Sequence, residues 1–185
     1  TRTMMGDAQE RWLFSGLDRS KAAWNLVPQQ VMMGAVDQSG QGDPRYSMDQ
    51  WSGYPAATRK VMEFFGTRRP SNPVVLTGDI HSNWVNDLKL DFRSEASPTV
   101  ATEFVTTSIT SGGDGQDLPG RMPAVLRKNP FVKFHNNQRG YVSCQVSRSR
   151  MTADYRVVDK VTIPDGKVTT RASFVVEDGW PGAKS

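Results

Sequence analysis

The sequence contains two histidines, and one of them, His81, stands two residues after Asp79 in the stretch "PVVLTGDIHSNWVNDL" (Pro73–Leu88). A carboxylate and an imidazole so spaced could do two kinds of chemistry. They offer a hard oxygen ligand beside a borderline nitrogen ligand, a set suited to iron, manganese, zinc or calcium bridged to a second metal. Alternatively, they make an Asp–His hydrogen bond that closes a loop. Two side chains cannot hold a metal alone, so the first reading needs further donors. Asp49 stands in a long polar loop, and Asn136 and Asn137 stand just before Arg139-Gly140-Tyr141. The guanidinium of Arg139 could grip two phosphate oxygens at once, or pair with a carboxylate. "TSGGDGQD" (Thr110–Asp117) could present backbone N–H groups to an anion, or be a plain glycine loop.

These residues need elements to aim them. Val74-Val75-Leu76 is a β-branched, unalternating run, which predicts a strand buried on both faces. Such strands place their chemistry just beyond the carboxyl end, where Asp79 and His81 follow. In an extended continuation, positions i and i+2 point the same way. Asp7 and Glu10 suggest a capping box, with Trp12, Leu13, Leu17 and Ala22 at helical spacing behind it, so a helix is expected over 7–23. "NLVPQQVMMGAV" (Asn25–Val36) reads as a buried strand interrupted near its start by Pro28. The loop from Asp37 to Gly53 is long enough to be functional or lid-like. If it follows a strand parallel to the next one, Asp49 lies at the same sheet edge as Asp79. "PAATRKVMEFFG" predicts a helix, with Pro55 in its first turn and Gly66 past its end.

Helix, strand, loop, helix, strand is α/β grammar. After that strand the pattern changes. "VNDLKL", "ATEFVTTSI", "GYVSCQVS", "MTADYRVVD" and "KVTTRASFVV" read as strands, many alternating with period two, as antiparallel pairing expects. Pro164-Asp165-Gly166 supplies a hairpin turn between the last two. "SITSGGDGQDLPGRMP" (Ser108–Pro123) is a second long loop. The fold class expected is α/β (α+β), two stacked sheets flanked by helices. A two-sheet core normally needs more strands than are countable here, so residues 1–185 read as the C-terminal part of a larger domain.

Composition excludes some functions. No apolar run approaches the length of about 18 residues that a membrane span needs. No export signal opens the chain, and the single cysteine, Cys144, reads as a buried strand thiol. The net charge is +4, but the basic residues are scattered and lack interleaved aromatics, which argues for a solvated face rather than a nucleic-acid stripe. Walker, GxGxxG, CxxC, HExxH and GxSxG motifs are missing, and no serine sits at a nucleophile elbow.

At these residues the sequence resembles the PhoD-like alkaline phosphatase/phosphodiesterase family, within the metallophosphoesterase (calcineurin-like) superfamily. "RTMMGDAQERWLFSGLDRSKAAWNLVPQQVMM" looks like that family's G-x-x-Q-x-x-W-L segment followed by W-x-x-x-x-x-Q-V-M. "MDQWSGYPAATR", "NPVVLTGDIHSNWVNDL", "VATEFVTTSITSGGDG", "RGYV" and "SFVVEDGWPG" then fit its C-terminal half in order. The resemblance implies two stacked mixed sheets flanked by helices (an α/β/β/α sandwich). It also implies a multinuclear iron and calcium cluster at the strand ends. "GDIH" looks like the superfamily's Gly-His-x-His, with Asp79 replacing the first histidine and His81 keeping the second. Asp49 resembles the ligand before this motif, and Arg139 with Asn137 is expected to bind substrate.

Ser52 stands where the family usually has Asp, and the superfamily's earlier ligands lie upstream of Thr1. The resemblance therefore implies a metal-dependent phosphoesterase whose site is completed by an upstream segment of the same protein. Nucleic acid would enter only as a phosphodiester substrate. A secreted or periplasmic location, by the twin-arginine route, is also implied. The rivals are an anion-binding β-rich module and a purely structural C-terminal half.

Overall fold

The structure, a computed structural model, describes residues 2–185. Helix α1 (Asp7–Arg19) opens the chain and is followed by β1 (Asn25–Pro28), helix α2 (Pro55–Arg68) and β2 (Pro73–Thr77). Then come β3 (Asn83–Lys89), β4 (Thr99–Val105), helix α3 (Met122–Lys128) and β5 (Val132–Asn136). A second group, β6 (Gly140–Val146), β7 (Arg150–Val158), β8 (Val168–Glu177) and β9 (Trp180–Lys184), ends the chain.

The strands form two sheets, one five-stranded in the order β1-β2-β4-β3-β5 and one four-stranded in the order β6-β7-β8-β9. The first is mixed: β1, β2 and β4 run parallel, whereas β3 is antiparallel to both β4 and β5. The second is antiparallel throughout.

The sheets stack face to face. Val74, Val85 and Phe104 of the first meet Met151, Ala153, Tyr155, Phe174 and Val176 of the second in one buried cluster. Phe134 packs at a tilt against Tyr155 and Phe174, with centroids 5.1 and 5.5 Å away. Fully burying a ring such as Phe104 or Phe174 contributes about 1.5–3 kcal/mol, and the half-buried Phe134 less. The Tyr155 hydroxyl, fully buried, donates to the Trp84 carbonyl at 2.5 Å and so ties the sheets together. From β9, Gly182 N–H donates to Thr102 Oγ1 and Ala183 N–H to Asp87 Oδ1.

The opposite face of the mixed sheet carries the helices. Val61, Met62 and Phe65 of α2 pack on Val75, Leu88 and Ala101, with Phe14 and Leu17 of α1 behind them. Met122 and Val125 of α3 pack on Trp84, Val105 and Val132. The chain is thus a mixed α/β fold of two sheets, with its three helices on one face.

Several local expectations are corrected. The capping box is absent: Asp7 already lies inside α1, Gly6 precedes it, and Glu10 ion-pairs with Lys60 of α2. The helix ends at Arg19, because Ser20 turns extended. The strand expected to reach Val36 stops at Pro28, beyond which the chain still follows β2 through Gln29 N–H to the Leu76 carbonyl (3.0 Å). Met32, Met33 and Val36 are buried all the same, as irregular backbone. Helix α3 and strands β5 and β9 were not expected.

Cys144 is exposed, not buried. It pairs across from buried Ala153, as Val142 does from Tyr155 and Val146 from Met151, so all three share the inner face of the second sheet. Because β6 is an edge strand, that part of the inner face is left uncovered among the described residues, and Val146 is 49% exposed.

Candidate metal centre and the loops around it

β1 and β2 are parallel, so the loops leaving them emerge at one edge of the sheet. Asp79 and His81 lie there, exposed, in the turn between β2 and β3. The turn is tight: Ile80 N–H donates to the Gly78 carbonyl at 2.8 Å, and Gly78 N–H to Gln30 at 3.2 Å. Asp79 (φ 69°) and His81 (φ 55°) both adopt the left-handed backbone conformation. For residues with a Cβ this costs about 1–3 kcal/mol each, and such strain concentrates at functional loops. The extended continuation that would aim positions i and i+2 together is therefore replaced by two left-handed residues flanking Ile80. Among the described residues neither side chain has an ion-pair partner, each other included, so the loop-closing Asp–His pair is not formed. Their donor atoms are free for another group.

A polar chain inside the sheet holds this edge. Glu103 of β4, fully buried, accepts from Met33 N–H (2.6 Å), Gly34 N–H (2.9 Å), Asn86 Nδ2 (2.8 Å) and Thr77 Oγ1 (2.9 Å). Burial pushes its carboxyl up, and the four donors pull it back down. A side chain at residue 34 has no room, since an added Cβ would stand 2.7 Å from Asn86 Nδ2. Gln29 extends the network, donating to Thr77 Oγ1 at 3.0 Å and accepting from Trp51 Nε1 at 2.9 Å. The loop that carries Asp49 is thereby tied to the strand end that carries Asp79.

Asp49 itself is exposed. It accepts a hydrogen bond from Ser47, which holds its carboxyl below the ordinary range. Ser52 bonds back to the Ser47 carbonyl at 2.7 Å and closes the same loop. Among the described residues no three His, Cys, Asp or Glu side chains are grouped to hold a metal, so Asp49 is not drawn into a triad with Asp79 and His81.

Arg139 differs from expectation. It is 2% exposed, and its four Nη–H groups are engaged: Nη1 with Ser108 Oγ (2.9 Å) and the Ser111 carbonyl (2.5 Å), Nη2 with the Asn137 carbonyl (2.5 Å) and Asn137 Oδ1 (2.6 Å). Only Nε–H is left without a partner, and it is itself buried, so the expected bidentate phosphate grip cannot form, and no carboxylate takes its place. Burial lowers the guanidinium's pKa. The residue fastens the glycine-rich loop to the turn after β5, and at Gly112 an added Cβ would stand 3.1 Å from Nη1. Asp114 of that loop accepts from Val161 N–H, Thr162 N–H and Thr162 Oγ1, and Asp117 pairs with Arg171. Asn136, fully buried, accepts from Asn83 Nδ2 at 3.1 Å and so pins β5 to the start of β3.

The second histidine, His135, was not singled out from sequence. It sits on β5 opposite Trp84, its ring edge-on to the indole at 4.3 Å. Burial, aided by the nearby Arg121 charge and opposed by Asp117, lowers its pKa from 6.5 to about 4, so it is neutral. It lines a cavity of about 300 Å³ with Ile80, Ser82, Arg121 and Asn137. Being one of two histidines was the only signal it carried.

The likeness to known proteins matches this arrangement. Residues 1–155 match the model of the family described as PhoD-like phosphatase. Over 183 residues the chain is 43% identical to alkaline phosphatase D of Bacillus subtilis (strain 168), covering 99% of this chain and 31% of that protein. A solved structure titled "Structure of PhoD" superposes over the whole chain with a TM-score of 0.94 at 42% identity, covering 35% of that chain. The chain thus spans about a third of the length of the relatives it matches. By the extent of the family match, and by a fold shared from end to end, the chain belongs to the PhoD-like phosphatase family.

Proposed function

We propose that this chain is the C-terminal part of a metal-dependent phosphoesterase, an alkaline phosphatase/phosphodiesterase, and contributes part of its metal site. The observation that carries the reading is the pair Asp79 and His81, exposed, strained and unengaged at the carboxyl end of β2, in a chain of the PhoD-like family. A carboxylate and an imidazole with free donor atoms fit a mixed iron and calcium site in chemistry though not in number. The remaining ligands come from an upstream segment of the same protein, in keeping with the third of the relatives' length that this chain spans. Asp49, on a loop tied to the same edge through Gln29, is a further candidate ligand. When bound, the metals supply a lowered pKa for a coordinated water and charge neutralisation at the phosphate.

The chain's own residues have separate tasks. Asp79 and His81 hold the metals. Glu103 and Gln29 keep both loops against the sheet. Arg139 and Asn137 shape the wall beside them, Arg139 through the glycine-rich loop and not by direct contact with phosphate. No side chain of this segment need act as nucleophile. Export from the cytoplasm belongs to the same reading.

The test is elemental analysis of the full-length protein, with turnover of p-nitrophenyl phosphate and bis(p-nitrophenyl) phosphate measured alongside. Stoichiometric iron or calcium with chelator-sensitive turnover is expected. A full-length protein that binds neither metal after reconstitution, yet is folded, overturns the reading in favour of a structural segment.

A further inference from the structure

The cavity beside the Asp79–His81 turn has a chemistry of its own. It lies between α3 and the β3–β5 edge of the mixed sheet, and its volume is about 300 Å³. Two of its lining residues, Ile80 and Ser82, directly flank His81, so the cavity wall and the candidate ligands are consecutive residues of one turn. On the reading that Asp79 and His81 hold the metals, a phosphate ester bound there lies beside the same turn, whose Ile80 and Ser82 line this cavity.

We infer that the cavity receives the alcohol portion of the phosphate ester and that His135 hydrogen-bonds a hydroxyl on it. This inference rests on the phosphoesterase reading above. Three observations carry it. First, the volume is at the small end for an organic ligand and suits an alcohol of a few heavy atoms. Second, His135 is 8% exposed and neither ring nitrogen has a hydrogen-bond partner among the described residues; Nδ1 is sealed off, so the nitrogen that a ligand in the cavity can reach is Nε2. A buried polar atom left so is costly, and native proteins seldom keep one without a ligand, a water or a functional reason. Third, the surroundings are matched to a polar but uncharged group. The Trp84 ring and Ile80 supply apolar wall, the neutral imidazole both donates and accepts as a hydroxyl does, and the Asn137 amide stands nearby. Exposed Arg121 lines the cavity too and adds positive charge suited to a phosphate ester.

Kinetics of the metal-loaded full-length protein test the inference with two esters of similar size, glycerol phosphate and propyl phosphate, which differ in the hydroxyls. His135→Leu is expected to lower the preference for glycerol phosphate over propyl phosphate about tenfold, chiefly through KM, as loss of one hydrogen bond at a buried partner predicts. His135→Gln, whose amide reaches the position of Nε2 and keeps a donor and an acceptor, restores most of it. Gln38→Trp, a bulky group at a half-buried lining position, is expected to raise KM for both esters at least tenfold. The Ki of inorganic phosphate, which carries no alcohol, should stay within twofold in all three variants. An unchanged preference in His135→Leu means that a trapped water, not substrate, satisfies the imidazole, and overturns the inference. A Ki that moves in step with KM shows an effect through the metal-bearing turn and overturns it equally. Wild-type turnover of p-nitrophenyl phosphate without glycerol phosphate defeats this inference alone, whereas turnover of no ester defeats the phosphoesterase reading beneath it.

Discussion

Thr77 Oγ1 donates to Glu103 Oε1 at 2.9 Å inside the mixed sheet, two residues before Asp79 leaves it. Removing the carboxylate strands this hydroxyl, two backbone N–H groups and the Asn86 amide together. Each buried orphan costs about 1–3 kcal/mol, so Glu103→Ala should destabilise the protein by at least about 3 kcal/mol. Urea denaturation measures this. A loss under about 1 kcal/mol would show that water replaces the carboxylate and that the network does not hold the edge.

At Gly34 the same network leaves no space. Gly34→Ala places a methyl against the Asn86 amide, and overpacking of this kind costs about 1–3 kcal/mol. A thermal melt is sufficient, and a neutral result would mean that the Met33–Gly34 segment can shift without penalty.

Asp79 and His81 should show the opposite pattern. Their left-handed backbone is strained with a side chain and relaxed with glycine. Asp79→Gly and His81→Gly are therefore expected to raise stability by up to about 1 kcal/mol while reducing metal content and turnover at least a hundredfold. Loss of stability with metal retained would assign both residues a packing role.

His135 makes stability sensitive to acid. The unfolded chain protonates this ring below about 6.5, whereas the folded protein resists until about pH 4. In that window the unfolded state binds more protons, so stability falls as pH drops through it, by on the order of 3 kcal/mol in total. His135→Phe, which keeps the contact with Trp84, should flatten the dependence of the urea midpoint between pH 6.5 and 4. An equally steep dependence in the variant would assign the acid sensitivity to other groups.

Arg139→Lys tests the clamp. An ammonium cannot make four divergent hydrogen bonds, so the loop Ser108–Gly115 should loosen and the protein lose about 2–4 kcal/mol. Limited proteolysis reads this as new cleavage within the loop. If Arg139 contacted phosphate instead, KM would rise with the loop still protected.

Much of this molecule is a local matter. The unalternating Val74–Leu76 run, the period-two strands β6 to β8 and the Pro-Asp-Gly turn follow from short-range sterics and from which faces are buried, and they were readable within a few residues of chain. The same holds for the position of Asp79 and His81 just past a strand end. Other features depend on partners far away along the chain. β1 stops at Pro28, and further on Met33 and Gly34 are held as irregular backbone by Glu103, seventy and sixty-nine residues away along the chain. β5 carries Lys133 and His135 among its apolar residues and becomes a strand by pairing with β3. Cys144 alternates as a buried residue should, yet lies exposed because nothing in the described chain covers its edge strand. Arg139 could equally have met a phosphate, a carboxylate or carbonyls, and only the fold brings Ser108, Ser111 and Asn137 around it. Periodicity reports which face of an element is buried; which distant polar group meets a given donor is decided by the tertiary structure alone, because hydrogen bonds depend on distance and angle that no spacing in the sequence encodes.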